Sequence, residues 1–488
     1  MAHDSQITYS RCSLRQLFQV SVTTRRLEKK AMESKKISRR QILRMGAFAT
    51  AGAALAACAA PAAAPVAKPA ESKPADAAAA PTAAAPAAEA GKKTIWWDIQ
   101  TGKTAELTDT LVKEWNAKSP NAQVEKQFIA NDPFKTKMAA AMQAGAPPDL
   151  FQSWGGGVLK TYIDAGMVRD ITEELKQDGW EKNFKPAALG LFTFDGKKYA
   201  PMWQFGMVGM WYNKTIFKDA GVEIPKTWTD FLAVVKKLGE YGKEKGISPI
   251  ALGNKDKWPG HFYWSYMAIR VGGKEAFDAA SNRTGKFTDA AFVEGGKHLK
   301  DLVDLNPFPK GAEAQDFNQQ SAQMAQRKAA MQLMGQWAPG AIEGQSEDKK
   351  GLGDELGIFA VPMIDGGKGD PSDVLGGGDG IAVGKNAPAG AIDFLRYFTS
   401  TDNQKKLSAL GVLSPVNGTE DSLPGNQLKE VSKLAGAAKY FQLYYDQALP
   451  PAIGQAVLDG SQALLLGKMS PEDVAKGVED VAATELKK

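Results

Sequence analysis

From Thr94 onward, short apolar and β-branched runs alternate with longer stretches in which apolar positions return every three or four residues. Residues 94–99 read as a strand, 106–118 as a helix, 122–129 as an alternating strand and 135–144 as a second helix. A third strand over 149–153 is entered through Pro147 and Pro148. Strands alternating with helices predict parallel β-α-β units and an α/β sheet. Further on, Asp195 and Gly196 form a turn before an aromatic-rich strand over 199–212, interrupted by Gly206 and Gly209. A short amphipathic helix over 215–220 stops at Gly221. Pro225 then leads into a helix that Thr227 or Thr229 caps. Residues 229–357 are mainly helical, with amphipathic runs at 230–243, 264–271, 289–305 and 316–327. Short strands are expected over 329–337, 359–363 and 376–383, and helices over 389–400 and 404–410.

The first 91 residues follow a different pattern. Ser38-Arg39-Arg40 and the uncharged run 45–57 precede Leu55-Ala56-Ala57-Cys58. A bilayer core needs about 20 helical residues, so this run is too short to span it and reads as a twin-arginine export signal over 1–57, with Met1 or Met32 as the start. Leu-Ala-Ala-Cys is similar to a lipobox, which makes Cys58 the acylated mature N-terminus. Residues 59–91 contain 18 Ala and 6 Pro in 33 positions. They lack the large side chains needed to build a core, so 58–91 is expected to be a disordered tether.

Charge supports that division. Residues 1–57 hold 11 of the 60 basic groups and 3 of the 55 acidic ones, leaving 49 against 52 in the remainder. The excess of positive charge therefore belongs to the signal, and no nucleic-acid partner is implied. With Cys12 and Cys58 the only cysteines, a processed chain has no internal disulfide.

The sequence offers no organised catalytic or metal motif. Gly102-Lys103-Thr104 ends like a phosphate loop, but Trp97 occupies the position of its first glycine. Only His261 and His298 lie beyond the signal, and there is no Cys pair, so no metal and no cofactor is expected. Tryptophan is abundant, with 11 in the chain. Aromatic plates beside Asp, Asn and Gln suit the apolar face and hydroxyl rim of a sugar, although any single Trp is as readily core. Trp154 follows the third strand at its C-terminal end, where open α/β sheets bind ligands, and Gly155-Gly156-Gly157 leaves room beside it. For hydroxyl recognition, Asp98 and Gln100 follow the first strand, and Asn131 and Asp132 follow the second. Asp132 reads equally as an Asx turn before Pro133. The 377–379 loop adds Gly377, Gly378 and Asp379. Tyr444, Tyr445 and Asp446 are further candidates for a cleft.

Several ordered motifs carry a family resemblance: Gly196 to Pro201, Tyr212-Asn213-Lys214, Phe217 to Gly221, Pro225 to Trp228, Ala330 to Trp337, and Gly411 to Pro415. Together they resemble the sugar-binding family of extracellular solute-binding proteins, the maltose-binding-protein-like receptors of ABC importers. The resemblance covers nearly all of 92–488. It implies a two-lobed α/β periplasmic-binding-protein-like fold, each lobe a mainly parallel sheet flanked by helices, with hinge crossings near 204–207, 362–375 and 414–423. Lobe 1 is then 92–205 plus 364–415, and lobe 2 is 206–363 plus 416–488. It further implies ligand contacts by Trp203 and Gln204 at the hinge, by Trp337 in its Gly-x-Trp, and by Trp258, His261 and Trp264 in the second lobe. The expected protein is a monomeric, non-catalytic receptor on the outer face of the cytoplasmic membrane, held by lipid, which delivers a neutral mono- or oligosaccharide to the permease subunits. A surface glycoside hydrolase or lyase, or a receptor for a non-sugar solute, remains the alternative. Where maltose-type receptors carry a late aromatic, this chain has Ile453, Gly454 and Gln455, which argues against a maltodextrin.

Overall fold

The computed structural model describes residues 92–486; the export signal, Cys58 and the tether lie outside the described residues. The first elements are β1 (Thr94–Asp98), α1 (Gly102–Lys118), β2 (Val124–Phe128), α2 (Asn131–Gln143), β3 (Leu150–Ser153) and α3 (Gly156–Asp164). Both α1 and α2 begin about a turn before their apolar periodicity does. Their first turns are polar, and in α2 Pro133 lies where the missing N–H costs nothing and Asp132 faces the positive end of the helix dipole. Two short helices, α4 (Thr172–Lys176) and α5 (Pro186–Gly190), and a hairpin of β4 (Thr193–Phe194) with β5 (Lys197–Lys198) lead to the 12-residue strand β6 (Met202–Asn213).

After β6 come α6 (Lys214–Ala220) and α7 (Trp228–Gly242). Asn213 caps α6, which ends at Gly221 with φ 61°. Thr227 caps α7 in a reciprocal box with Asp230. The second half continues with β7 (Ser248–Ile250), α8 (Trp258–Ser281), α9 (Ala290–Asp304), α10 (Phe317–Ala325), β8 (Ala329–Gly335), α11 (Ala338–Gln345), β9 (Leu356–Phe359) and β10 (Val374–Val383). It ends with α12 (Ala389–Phe398), α13 (Thr401–Ser408), α14 (Gly425–Ala437), β11 (Phe441–Leu443), α15 (Tyr445–Ala448), α16 (Pro451–Leu465) and α17 (Pro471–Glu485).

The strands form one path, β2-β1-β3-β10-β6-β8-β7, with β11 added to β10 and β9 to β6. Pairing is parallel for β1 with β2 and β3, for β7 with β8 and for β10 with β11. It is antiparallel wherever β6 meets β8, β9 or β10, and where β10 meets β3.

Two hydrophobic cores divide this path. Met202 and Trp203 of β6 belong to the first, whereas Met207, Val208, Met210 and Trp211 belong to the second. Likewise Ile381, Ala382 and Val383 of β10 pack in the first and Val374 and Leu375 in the second. Further on, Leu413 packs in the second core between Val412 and Val416 of the first, and the chain is again in the second core at Leu423. Ile364 also packs in the second core, so the changeover on β10 lies within 376–380 and not at the 363/364 boundary set from sequence. Arg270 explains why 361–373 stays there: fully buried, it donates to the carbonyls of Val361, Asp370 and Asp373 at 2.8–3.1 Å.

Candidate cleft between the lobes

Helices follow β1, β2 and β3 at their C-terminal ends, and each of the three helix starts meets the second lobe. From α1, Lys103 Nζ lies 2.5 Å from Glu343 of α11. Near the start of α2, Asp132 lies close to Asp256, and Lys135 Nζ is 3.7 Å from Asp446. At α3, Gly156 and Gly157 pack against residues 447–450. A Cβ on Gly157 would stand 2.5 Å from the Leu449 carbonyl carbon and 2.8 Å from the Pro450 nitrogen. The room that sequence reading left beside Trp154 for a ligand is therefore filled by backbone of the second lobe.

Behind these contacts lies a group of buried polar atoms that find no protein partner: Trp258 Nε1, His261 Nε2, Gln336 Nε2 and the Tyr444 hydroxyl. Aromatic contacts join them. Trp258 meets Trp337 at 6.4 Å and Phe262 at 5.6 Å between ring centroids; Tyr444 meets Phe262 at 5.4 Å and Trp337 at 6.5 Å. Glycine permits this packing at Gly206, where a Cβ would lie 2.6 Å from the Tyr444 hydroxyl and 3.5 Å from Gln336 Oε1. Burying such donors and acceptors unpaired costs about 1–3 kcal/mol each. A hydroxyl-rich ligand would recover that cost.

His261 shows the polarity of this region. Its Nδ1 is 2.7 Å from the Trp258 carbonyl, so that nitrogen carries the hydrogen. Burial pushes the imidazole pKa below its ordinary value and outweighs the nearby Asp446. The neutral ring thus presents Nε2 as an acceptor, and Asp446 Oδ1 faces it at 3.4 Å.

The first lobe contributes Asp379, whose Oδ1 accepts from Gln152 Nε2 at 2.8 Å and which lies close to Trp154. Burial raises Asp379 to about 7, and the charge of Asp98 adds to the rise. Trp154 is partly exposed, edge-on to Phe134 at 6.0 Å, with Lys135 Nζ 5.5 Å from its ring centre. Asp98 is fully buried at the end of β1, its pKa raised by desolvation, with Lys126 Nζ 3.4 Å away.

The candidates from sequence separate accordingly. Trp154, Asp379, Trp258, His261, Trp337 and Asp132 lie in or around the interlobe region. Gln100 is partly exposed after β1, and Asn131 Nδ2 donates to Asp132 Oδ1 at 3.2 Å. Gln204 is buried and opposite Asp379 in the ladder. Three aromatic assignments are corrected. Trp264 is fully buried in the second core and donates to the Phe292 carbonyl at 3.1 Å. Trp203 is buried against Phe398 in the first core. Tyr445 stacks on Phe277 at 4.7 Å, whereas the buried hydroxyl of its neighbour Tyr444 has no partner. Gly377 and Gly378 are not loop residues opening to a ligand. Both lie in β10, and the space beside them is taken by Leu443 and Tyr444 and by Met202 respectively.

Sequence reading missed Gln152, Gln336, Asp256 and Lys135. Gln336 had a signal, as the middle residue of Gly-x-Trp. Among the described residues, no group of three His, Cys, Asp or Glu could hold a metal ion, and no helix is long and apolar enough to cross a membrane.

Comparison with known proteins gives a consistent picture. A family model, bacterial extracellular solute-binding protein, matches residues 100–405. An uncharacterized ABC transporter extracellular-binding protein, PH1214 of Pyrococcus horikoshii, is 29% identical over 274 residues; the match covers 55% of this chain and 59% of that protein's length. The diacetylchitobiose binding protein DasA of Streptomyces coelicolor is 26% identical over 400 residues, covering 80% of this chain and 89% of DasA. A solved chitin oligosaccharide binding protein superposes with a TM-score of 0.73 at 28% identity, covering 80% of this chain and 98% of that one.

Proposed function

This chain belongs to the bacterial extracellular solute-binding proteins, and on that premise we propose that it captures a neutral mono- or oligosaccharide between its lobes for delivery to an ABC permease. The observation that carries the reading is the group of unpartnered buried atoms, Trp258 Nε1, His261 Nε2, Gln336 Nε2 and the Tyr444 hydroxyl, walled by Trp258, Trp337 and Tyr444. Donors and acceptors without a net cationic centre match hydroxyls; Asp98, Asp132, Asp256, Asp379 and Asp446 make the surroundings unfavourable for phosphate or carboxylate ligands. Relatives named for diacetylchitobiose and for chitin oligosaccharide support a saccharide.

In this reading the protein binds and does not transform its ligand. It is exported, held to the outer face of the membrane through Cys58 and works as a monomer. The two cores are the bodies that move, and ligand shifts the population towards the closed form because it touches both lobes only there. Intrinsic tryptophan fluorescence, titrated with mono- and oligosaccharides, tests this. A saturable change with at least one neutral sugar and no turnover of it is expected; no response to any sugar at millimolar concentration would overturn the proposal.

A further inference from the structure

We infer that the closed cleft admits a short saccharide, one or two sugar units, and that the three helix starts at the C-terminal ends of β1, β2 and β3 set this length. The inference rests on the receptor reading above. The strands β2, β1 and β3 are neighbours, so their C-terminal ends span only about 10 Å of rim at the usual spacing between strands. Each of the three ends is blocked when the lobes meet. Asp132 with Asp256, and Lys135 with Asp446, close the β2 end. Lys103 with Glu343 closes the middle. Gly156 and Gly157 against 447–450 close the β3 end, where the contact is backbone to backbone and leaves no side chain to swing aside.

A third sugar unit has to pass between one of these pairs. At the β3 end it would displace packed backbone, and at the β2 end it would part Asp132 from Asp256 and Lys135 from Asp446. Behind the rim, the unpartnered atoms of Trp258, His261, Gln336 and Tyr444 are available to ring hydroxyls. The contacts that accompany closure therefore also select against length.

The full mature chain, titrated calorimetrically with glucose, galactose, xylose and N-acetylglucosamine and with the di-, tri- and tetrasaccharides of each, tests the inference. In the series that binds, the mono- or disaccharide is expected to be tightest, with longer members equal or weaker. A trisaccharide or tetrasaccharide more than threefold tighter than its disaccharide overturns the inference and leaves the receptor reading standing. Absence of binding across all series overturns both. Asp132→Ala combined with Lys135→Ala opens the β2 end and is expected to raise the trisaccharide-to-disaccharide affinity ratio at least threefold; an unchanged ratio removes that end from the length filter.

Discussion

His261 Nε2 and Asp446 Oδ1 face each other at 3.4 Å as two acceptors, because the histidine hydrogen is committed to the Trp258 carbonyl. A donor is missing between them, and a ligand hydroxyl would supply it. Asp446→Asn puts an amide N–H in that place. Ligand affinity is expected to fall about tenfold, the effect of losing one hydrogen bond to a charged acceptor, while the melting temperature of the free protein stays level or rises. Unchanged affinity by calorimetry would show that the pair does not hold ligand.

Two tryptophans that look alike in sequence should behave in opposite ways. Trp337 is partly exposed beside Tyr444, whereas Trp264 is sealed in the second core. Trp337→Ala is expected to lower affinity about tenfold with little change in melting temperature. Trp264→Ala removes a core side chain and is expected to cost about 3–5 kcal/mol in chemical denaturation. The reverse pattern would reassign both.

The same contrast explains what the sequence revealed and what it hid. Order and type of elements were legible because periodicity, Gly221 and the Thr227 and Asp230 box act locally. Trp203, Trp264 and Tyr445 were misassigned because burial depends on which core a strand face or helix face meets, and that is a long-range fact. Gly377 and Gly378 looked like a ligand loop, yet their missing side chains make room for Tyr444 and Met202. Gln152 was silent, since its role comes from Asp379 more than two hundred residues away.

Affinity should fall with rising pH. Burial raises Asp379 to about 7 and also raises Asp132, which lies close to Asp256 across the lobes. An acid with a raised pKa favours the closed form below that pKa and loses the contribution as pH rises through it. His261 acts in the other direction only at acid pH, since its pKa is lowered. Between about pH 6 and 7, above the range in which His261 titrates, affinity is expected to drop by at most about tenfold per unit and then to level off, and Asp379→Asn should flatten the profile. A profile that rises over this range would contradict the assignment.

Closure should be sensitive to one methyl group. Gly157→Ala places a carbon against the backbone of Leu449 and Pro450, which cannot rotate away. Small-angle scattering with saturating sugar is expected to show compaction for the parent protein and little for the variant, with affinity reduced about tenfold or more. Normal compaction would mean that this contact forms differently in solution.

The strands β6 and β10 belong to both cores, and this has a consequence for biogenesis. β3 is completed only by Gly380–Val383, which the ribosome makes much later. Until then, nascent chain exposes an unpaired, apolar sheet edge of the kind that invites aggregation. Neither hydrophobic core is built from one contiguous segment, so a truncation that keeps half of the chain would leave both cores incomplete. On this topology, protecting the early strands until nearly the whole polypeptide is available is expected to raise the yield of folded protein.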